Sequence, residues 1–176
     1  MTWWEALLLG LIQGLTEFIP VSSSGHLVLG QYLLGLDKEA ADVTFEVFVH
    51  FGTVLSILTV YWDDVAELVE EAWAGLRAPR AVPTRFAEND TFRLGVFILV
   101  TLVPTGVAYV LFREPLEQAF GSPRFTSAML VGTGVLLLLT RIGPRPDGDL
   151  SGVKAFVVGV AQSCALVPGI SRSGAT

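Results

Sequence analysis

The sequence predicts an all-α, polytopic integral membrane protein built on an inverted-topology repeat with re-entrant helical hairpins. Three observations lead there. Of 176 residues, 52% are hydrophobic and only 16% charged, with a mean hydropathy of +0.60, whereas soluble domains carry about a quarter charged residues. The apolar residues come in blocks comparable with the roughly 20 residues that span a bilayer. The first block is broken by Pro20-Val-Ser-Ser-Ser-Gly-His26, and a similar Ser/Gly turn returns near residue 171. Disorder is excluded, because it requires low hydrophobicity and high charge.

Taken in order, Trp3–Ile19 is long enough to enter a membrane, the Pro20–His26 turn interrupts it, and Leu27–Leu36 leads away. Two half-helices around a polar turn form a re-entrant hairpin, which survives at membrane depth only when buried in protein or lining a wet cavity. Spans are expected at Val43–Trp62, Phe92–Phe112, Phe125–Thr140 and Val153–Val167. Trp3, Trp4, Tyr61 and Trp62 lie near segment ends, as an interfacial aromatic belt requires. Asp63–Leu76 carries Val65, Leu68, Val69, Ala72 and Leu76 at helical spacing and reads as an amphipathic interfacial helix. The stretch that follows, with Pro79 and Pro83, reads as a loop. A cleaved signal peptide is not expected, since Glu5 stands where a basic n-region would be.

Basic residues set orientation. With four alternating spans, Arg77, Arg80, Arg85, Arg93, Arg141, Arg145 and Lys154 fall on or near one face, and Lys38, Arg113 and Arg124 on the other. The first face, bearing the 63–91 and 141–152 connections, is therefore expected to be cytoplasmic. The Leu36–Asp42 turn and the N-terminus then face outside. The net charge of −6 argues against nucleic acid as a partner. Cys164, the one cysteine, has no partner for an internal disulfide.

The chain also matches itself at a displacement of 149 residues. Gly10 and Gln13 fall on Gly159 and Gln162, and Ser22, Ser24 and Gly25 fall on Ser171, Ser173 and Gly174. Apolar pairs such as Phe18/Val167 and Val21/Ile170 lie between them without a gap. The identities are polar or glycine positions, which a hydrophobic composition does not supply by accident. Residues 1–176 are thus read as a single membrane domain, with a first repeat over about 1–149 and the start of a second, incomplete one over about 150–176. The two copies enter from opposite faces, and the binding site of such folds lies where broken helices meet.

Each turn has the composition of an anion nest: successive backbone N–H groups, hydroxyls and the start of a helix. Ser22, Ser23, Ser24 and Gly25 form the first, and Ser171, Ser173 and Gly174 the second. Serines at such positions also serve as helix N-caps. Arg172 inside a hydrophobic repeat tilts the reading toward a phosphate or diphosphate site, because an intramembrane charge is costly and a guanidinium forks onto phosphate oxygens. Glu17 follows Gln13 by one helical turn. The pair suits either a divalent cation held through oxygen or a carboxylate base. His26 closes the first turn and is a candidate base, acid or nucleophile. Glu46 and His50, also four residues apart, give the third segment a polar face and are expected to support the site rather than react.

At these residues a resemblance becomes specific. Gln13-Gly-Leu-Thr-Glu-Phe-Ile-Pro-Val-Ser-Ser-Ser-Gly-His26 and Pro168-Gly-Ile-Ser-Arg-Ser-Gly-Ala-Thr176 resemble the two signature motifs of the undecaprenyl-diphosphate phosphatases, the bacitracin-resistance family of bacterial membrane enzymes. Thr44–Gly52 resembles the family's following helix. The resemblance implies two re-entrant hairpins in an inverted repeat, in the bacterial plasma (inner) membrane, with the site opening to the outer face. It implies hydrolysis of undecaprenyl diphosphate to the monophosphate and inorganic phosphate, which recycles the lipid carrier of the cell envelope and confers bacitracin resistance. A divalent cation, Mg2+ or Ca2+, is implied.

Carried over residue by residue, Glu17, Ser23, His26 and Arg172 are the expected catalytic residues. Ser22, Ser24, Gly25, Ser171, Ser173 and Gly174 would bind substrate, and Gln13 with Glu17 would place the cation. The preferred assignment has Ser23 attacking with His26 as base, while the choice between Ser and His as nucleophile stays open. The expected partners are a polyprenyl diphosphate lipid and the bilayer, and a homodimer is compatible. A polyprenyl-phosphate transporter or flippase using the same anion site is the alternative. Family members continue through further helices after the second motif. The chain is accordingly expected to be a C-terminally truncated member, with an open second hairpin and its own activity in question.

Overall fold

The computed structural model describes residues 1–36, 43–142 and 150–176, and among these every regular element is helical. Most of the Leu36–Asp42 turn and of the 141–152 connection, with Lys38 and Arg145, lies outside the described residues.

Helix α1 (Trp3–Glu17) starts from a capping box. Thr2 caps the Glu5 N–H, and the Glu5 carboxylate accepts from the Thr2 N–H at 2.6 Å. Helix α2 (Ser23–Leu33) packs back on α1, with Leu9 and Leu27 fully buried between them. Fifteen residues of α1 rise only about 22 Å, short of the ~30 Å hydrocarbon core. The first hydrophobic stretch therefore forms a hairpin rather than a span, as its interrupted sequence indicates.

Helix α3 (Val43–Val60) meets α4 (Trp62–Arg77) at 91°. The expected amphipathic helix is present as α4. Trp62, Val69, Trp73 and Leu76 form an exposed apolar stripe, and the Arg77 guanidinium sits 4.9 Å over the Trp73 ring. The expected loop beyond it is instead helical: a 3-10 turn at Pro79–Ala81 and helix α5 (Val82–Glu88). Both prolines occupy first-turn positions, where the missing N–H has no intrahelical partner to lose. Arg85 of α5 pairs with Glu71 of α4 at 2.6 Å.

Helix α6 (Asp90–Phe120) runs past the expected end at Phe112, where the backbone leaves helical geometry (φ −115°, ψ 20°) and then resumes. Pro115 is the cause: it lacks an N–H and its ring crowds the carbonyl four residues earlier. Helix α7 (Pro123–Thr140) follows Ser122, whose hydroxyl caps the Phe125 N–H. Among the described residues α6 and α7 are long and apolar enough to cross a membrane, and counting the bent α3–α4 pair raises the number to three. The expected fourth span at Val153–Val167 is corrected. Helix α8 (Gly152–Cys164) has 13 residues, about 20 Å of rise, and ends in a turn before the single-turn α9 (Arg172–Ala175). It lies along α6 at very close range: a Cβ on Gly159 would stand 2.6 Å from the Thr101 carbonyl oxygen and 2.6 Å from Pro104 Cγ.

Candidate active site

The self-match extends to the hydrogen bonds of the two turns. Ser22 Oγ accepts from the Gly25 N–H at 3.3 Å, and Ser171 Oγ accepts from the Gly174 N–H at 3.3 Å. Ser22 and Ser24 hydroxyls lie 3.4 Å apart, and Ser171 and Ser173 hydroxyls 3.3 Å. The preceding helices correspond as well, since Thr2 and Ser151 cap α1 and α8. The serine caps expected from composition are therefore real.

The two turns meet. A Cβ on Gly25 would lie 2.9 Å from Gly169 Cα, so only glycine permits this approach. Gly169 itself has φ +96°, a conformation that side-chain-bearing residues rarely adopt. Helix α7 clamps the second turn through buried Thr133, whose hydroxyl donates to the Gly169 carbonyl at 2.6 Å and accepts from the Ser171 N–H at 3.1 Å. Between the turns lies a cleft of about 140 Å³. Thr16, Glu17 and Ser22–Ser24 line one side, and Ile170 with Ser171–Ser173 the other.

Its two sides differ in chemistry. Glu17 is the one carboxylate among the lining residues. Its Oε2 accepts from Gln13 Nε2 at 2.7 Å and from the Ser23 hydroxyl in a very short bond. Ser22 holds φ +64°, alone among the described non-glycine residues, while its counterpart Ser171 is relaxed at φ −77°. Left-handed backbone at a serine stores strain of about 1–2 kcal/mol, and such strain concentrates at functional sites. On the other side, at the position equivalent to Ser23, Arg172 has no ion pair among the described residues. A free guanidinium with flanking hydroxyls is an anion receptor. A hydroxyl donated to a carboxylate has the arrangement that nucleophilic catalysis requires.

His26 donates Nδ1–H to the Ser22 carbonyl at 2.8 Å, because a carbonyl only accepts. Its Nε2 is then the ring's lone-pair nitrogen in the neutral form. The Ser23 hydroxyl is bonded to Glu17, not to His26. His50 likewise donates Nδ1–H to the Glu46 carbonyl at 2.7 Å, which turns Nε2 to within 3.9 Å of Glu17 Oε2. The expected supporting pair thus reaches the site through His50, with Glu46 contributing its backbone. Gln13 is 1% exposed and presents its amide nitrogen to Glu17, leaving Oε1 without a partner among the described residues. No group of three or more His, Cys, Asp or Glu residues converges among the described residues. One carboxylate facing an anion cleft does suit Mg2+, which binds through one or two carboxylates plus substrate phosphates.

The sequence reading missed Thr133, Gly169 and Leu130, whose side chain backs Gly25. A signal existed for the first. Thr126 and Thr133 sit seven residues apart in an apolar helix, and both are buried.

Fold and site together define a polytopic helical membrane protein in which two serine–glycine turns face each other across a cleft. Residues 6–176 match the model of the family described as bacitracin resistance protein BacA, and the chain belongs to that family. It is 40% identical over 175 residues to the undecaprenyl-diphosphatase of Halothermothrix orenii, covering 98% of this chain and 61% of that relative. It is 40% identical over 178 residues to the undecaprenyl-diphosphatase of Bacteroides fragilis strain ATCC 25285, covering 100% and 62%. Undecaprenyl-diphosphatase 3 of Bacillus anthracis is 42% identical over 172 residues, covering 97% and 61%. The chain thus spans about 61% of the length of the curated relatives it matches.

Proposed function

We propose that this cleft hydrolyses undecaprenyl diphosphate to undecaprenyl phosphate and inorganic phosphate, at the outer face of a bacterial plasma membrane and within an inverted repeat of two hairpins. One observation carries the reading. The Ser23 hydroxyl is already donated to Glu17, across a single cleft from Arg172, which has no ion pair among the described residues. The names of the relatives support the substrate.

In this mechanism Ser23 Oγ bonds to the terminal phosphorus, its proton passes to Glu17, and the bridging P–O bond breaks. Water then hydrolyses the phosphoserine. The hydrogen bond to Glu17 moves the base role expected for His26 onto the carboxylate. His26 retains Nε2 for proton exchange with water or phosphate. Arg172, the hydroxyls and the backbone donors at Ser23 and Ser24 stabilise charge on phosphoryl oxygens, the largest contribution expected of such a site. A divalent cation, Mg2+ or Ca2+, would be held by Glu17 together with diphosphate oxygens and would neutralise part of their charge. Gln13 and His50 orient Glu17.

The test is phosphate release from undecaprenyl diphosphate by detergent-purified protein with Mg2+, beside Arg172→Ala. Release that vanishes in the variant supports the reading. Tight binding of the lipid with no release would contradict it.

A further inference from the structure

The two turns carry the same bonds on different backbones. In each, the first serine caps the glycine three residues on, and its carbonyl accepts from the N–H four residues on, that of His26 at 3.2 Å and that of Ala175 at 3.0 Å. They differ in where the positive φ falls. In the second turn it falls on Gly169, at +96°. At the displacement of 149 residues Gly169 corresponds to Pro20, whose ring holds φ at about −65° and forbids that conformation. In the first turn the positive φ falls instead on Ser22, two positions later. The entry is tighter too: the Val21 N–H donates to the Ile19 carbonyl at 2.7 Å, whereas the equivalent Ile170 N–H reaches back to Val167 at 3.1 Å.

Resting on the phosphatase reading, we infer that Ser22 is a positioning residue rather than a phosphate ligand: Pro20 forces the positive φ onto Ser22, and that backbone shape aims the Ser23 hydroxyl at Glu17 and fixes the His26 ring. Ser22 is 5% exposed, its hydroxyl already serves the Gly25 N–H, and it lies 3.4 Å from the Ser24 hydroxyl. The residue that follows it, Ser23, donates to Glu17, and the Ser22 carbonyl accepts from His26 Nδ1–H at 2.8 Å. Both candidate reacting side chains of the first turn thus hang on the conformation of one residue. The counterpart Ser171 is relaxed at φ −77°, and the residue after it, Arg172, has no ion pair among the described residues. The strained turn accordingly belongs to the half of the cleft that holds the nucleophile.

Substitution at Ser22 separates shape from hydroxyl. Glycine adopts positive φ freely but has no hydroxyl. Threonine keeps the hydroxyl, but a β-branched residue at positive φ is an outlier. The experiment measures kcat and KM for phosphate release from undecaprenyl diphosphate by the detergent-purified chain with Mg2+, and thermal unfolding of the same samples. Ser22→Gly weakens a helix cap and should turn over a few-fold more slowly than the wild type. Ser22→Thr should lose about ten- to a hundredfold in kcat, as about 1 Å of misplacement would, while KM changes less than about threefold. A phosphate ligand would give the reverse order, with threonine the better residue and the loss in KM. Pro20→Gly tests the same point should Ser22→Thr fail to fold. It gives the first turn the glycine of the second, lets Ser22 relax, and should lower kcat about tenfold or more with only a few degrees lost in thermal unfolding. Ser22→Thr turning over as fast as Ser22→Gly, or Pro20→Gly turning over at the wild-type rate, would overturn the inference and leave the phosphatase reading standing. No release by the wild-type chain would overturn the phosphatase reading, and the role of Ser22 with it.

Discussion

Substituting Gly25 by alanine separates the assembly of the cleft from the stability of the chain. The added methyl would stand 2.9 Å from Gly169 Cα and 2.9 Å from Leu130 Cδ2, whereas carbon atoms rest at about 3.5–4.0 Å. Leu130 can rotate away. Gly169 is backbone, held by Thr133, so the turns must part by roughly half an ångström or more. Overpacking of this kind costs about 1–3 kcal/mol. Alanine recovers up to about 1 kcal/mol of helix propensity in α2, so the net loss of stability is small. Catalysis should suffer far more, because a misplacement of about 1 Å costs on the order of a hundredfold. Gly25→Ala is therefore expected to lower kcat about ten- to a hundredfold with only a few degrees lost in thermal unfolding. Gly14→Ala is the control: nothing lies within 4 Å of its added methyl, and activity should be unchanged. Wild-type kcat in Gly25→Ala would refute the argument that contact between the turns sets the site.

Further predictions follow from the same geometry. Thr133→Val strips partners from the Gly169 carbonyl and the Ser171 N–H and should destabilise the protein by about 1–3 kcal/mol, read by denaturation in detergent. Gly159→Ala drives a methyl into the α6 backbone and should lower stability by about 1–3 kcal/mol, with α8 displaced from α6. Ser23→Ala and Glu17→Gln should each reduce phosphate release by about 10²–10⁴ without unfolding the chain. Because the two side chains act as one unit, the double variant should be no worse than the poorer single variant. Additive losses would show that they act separately.

The elements carrying the site were legible in the sequence because local chemistry wrote them. Ser22 and Ser171 cap helices, as their place in the turns suggested, and the self-match placed them in equivalent turns. What the sequence did not reveal depends on packing between distant segments. The contact of Gly25 with Gly169 and the Thr133 clamp join residues far apart in the chain. The Ser23–Glu17 bond depends on how the chain turns between α1 and α2. Two expectations failed for local reasons. Prolines at first-turn positions start helices rather than loops, so residues 79–88 are helical. Apolar composition alone made Val153–Val167 resemble a span, but the helix stops at Cys164 and the chain turns into the second serine motif.

The central claim is that two turns, one from each repeat, hold a single diphosphate. Calorimetric titration of the purified chain with inorganic methylene-diphosphonate in Mg2+ tests it most directly. One equivalent should bind per chain, and the affinity should fall about tenfold or more both in Arg172→Ala and in a Ser23→Ala/Ser24→Ala variant, each having lost contacts to a charged ligand. Two equivalents, or affinity untouched by the first-turn variant, would contradict the account.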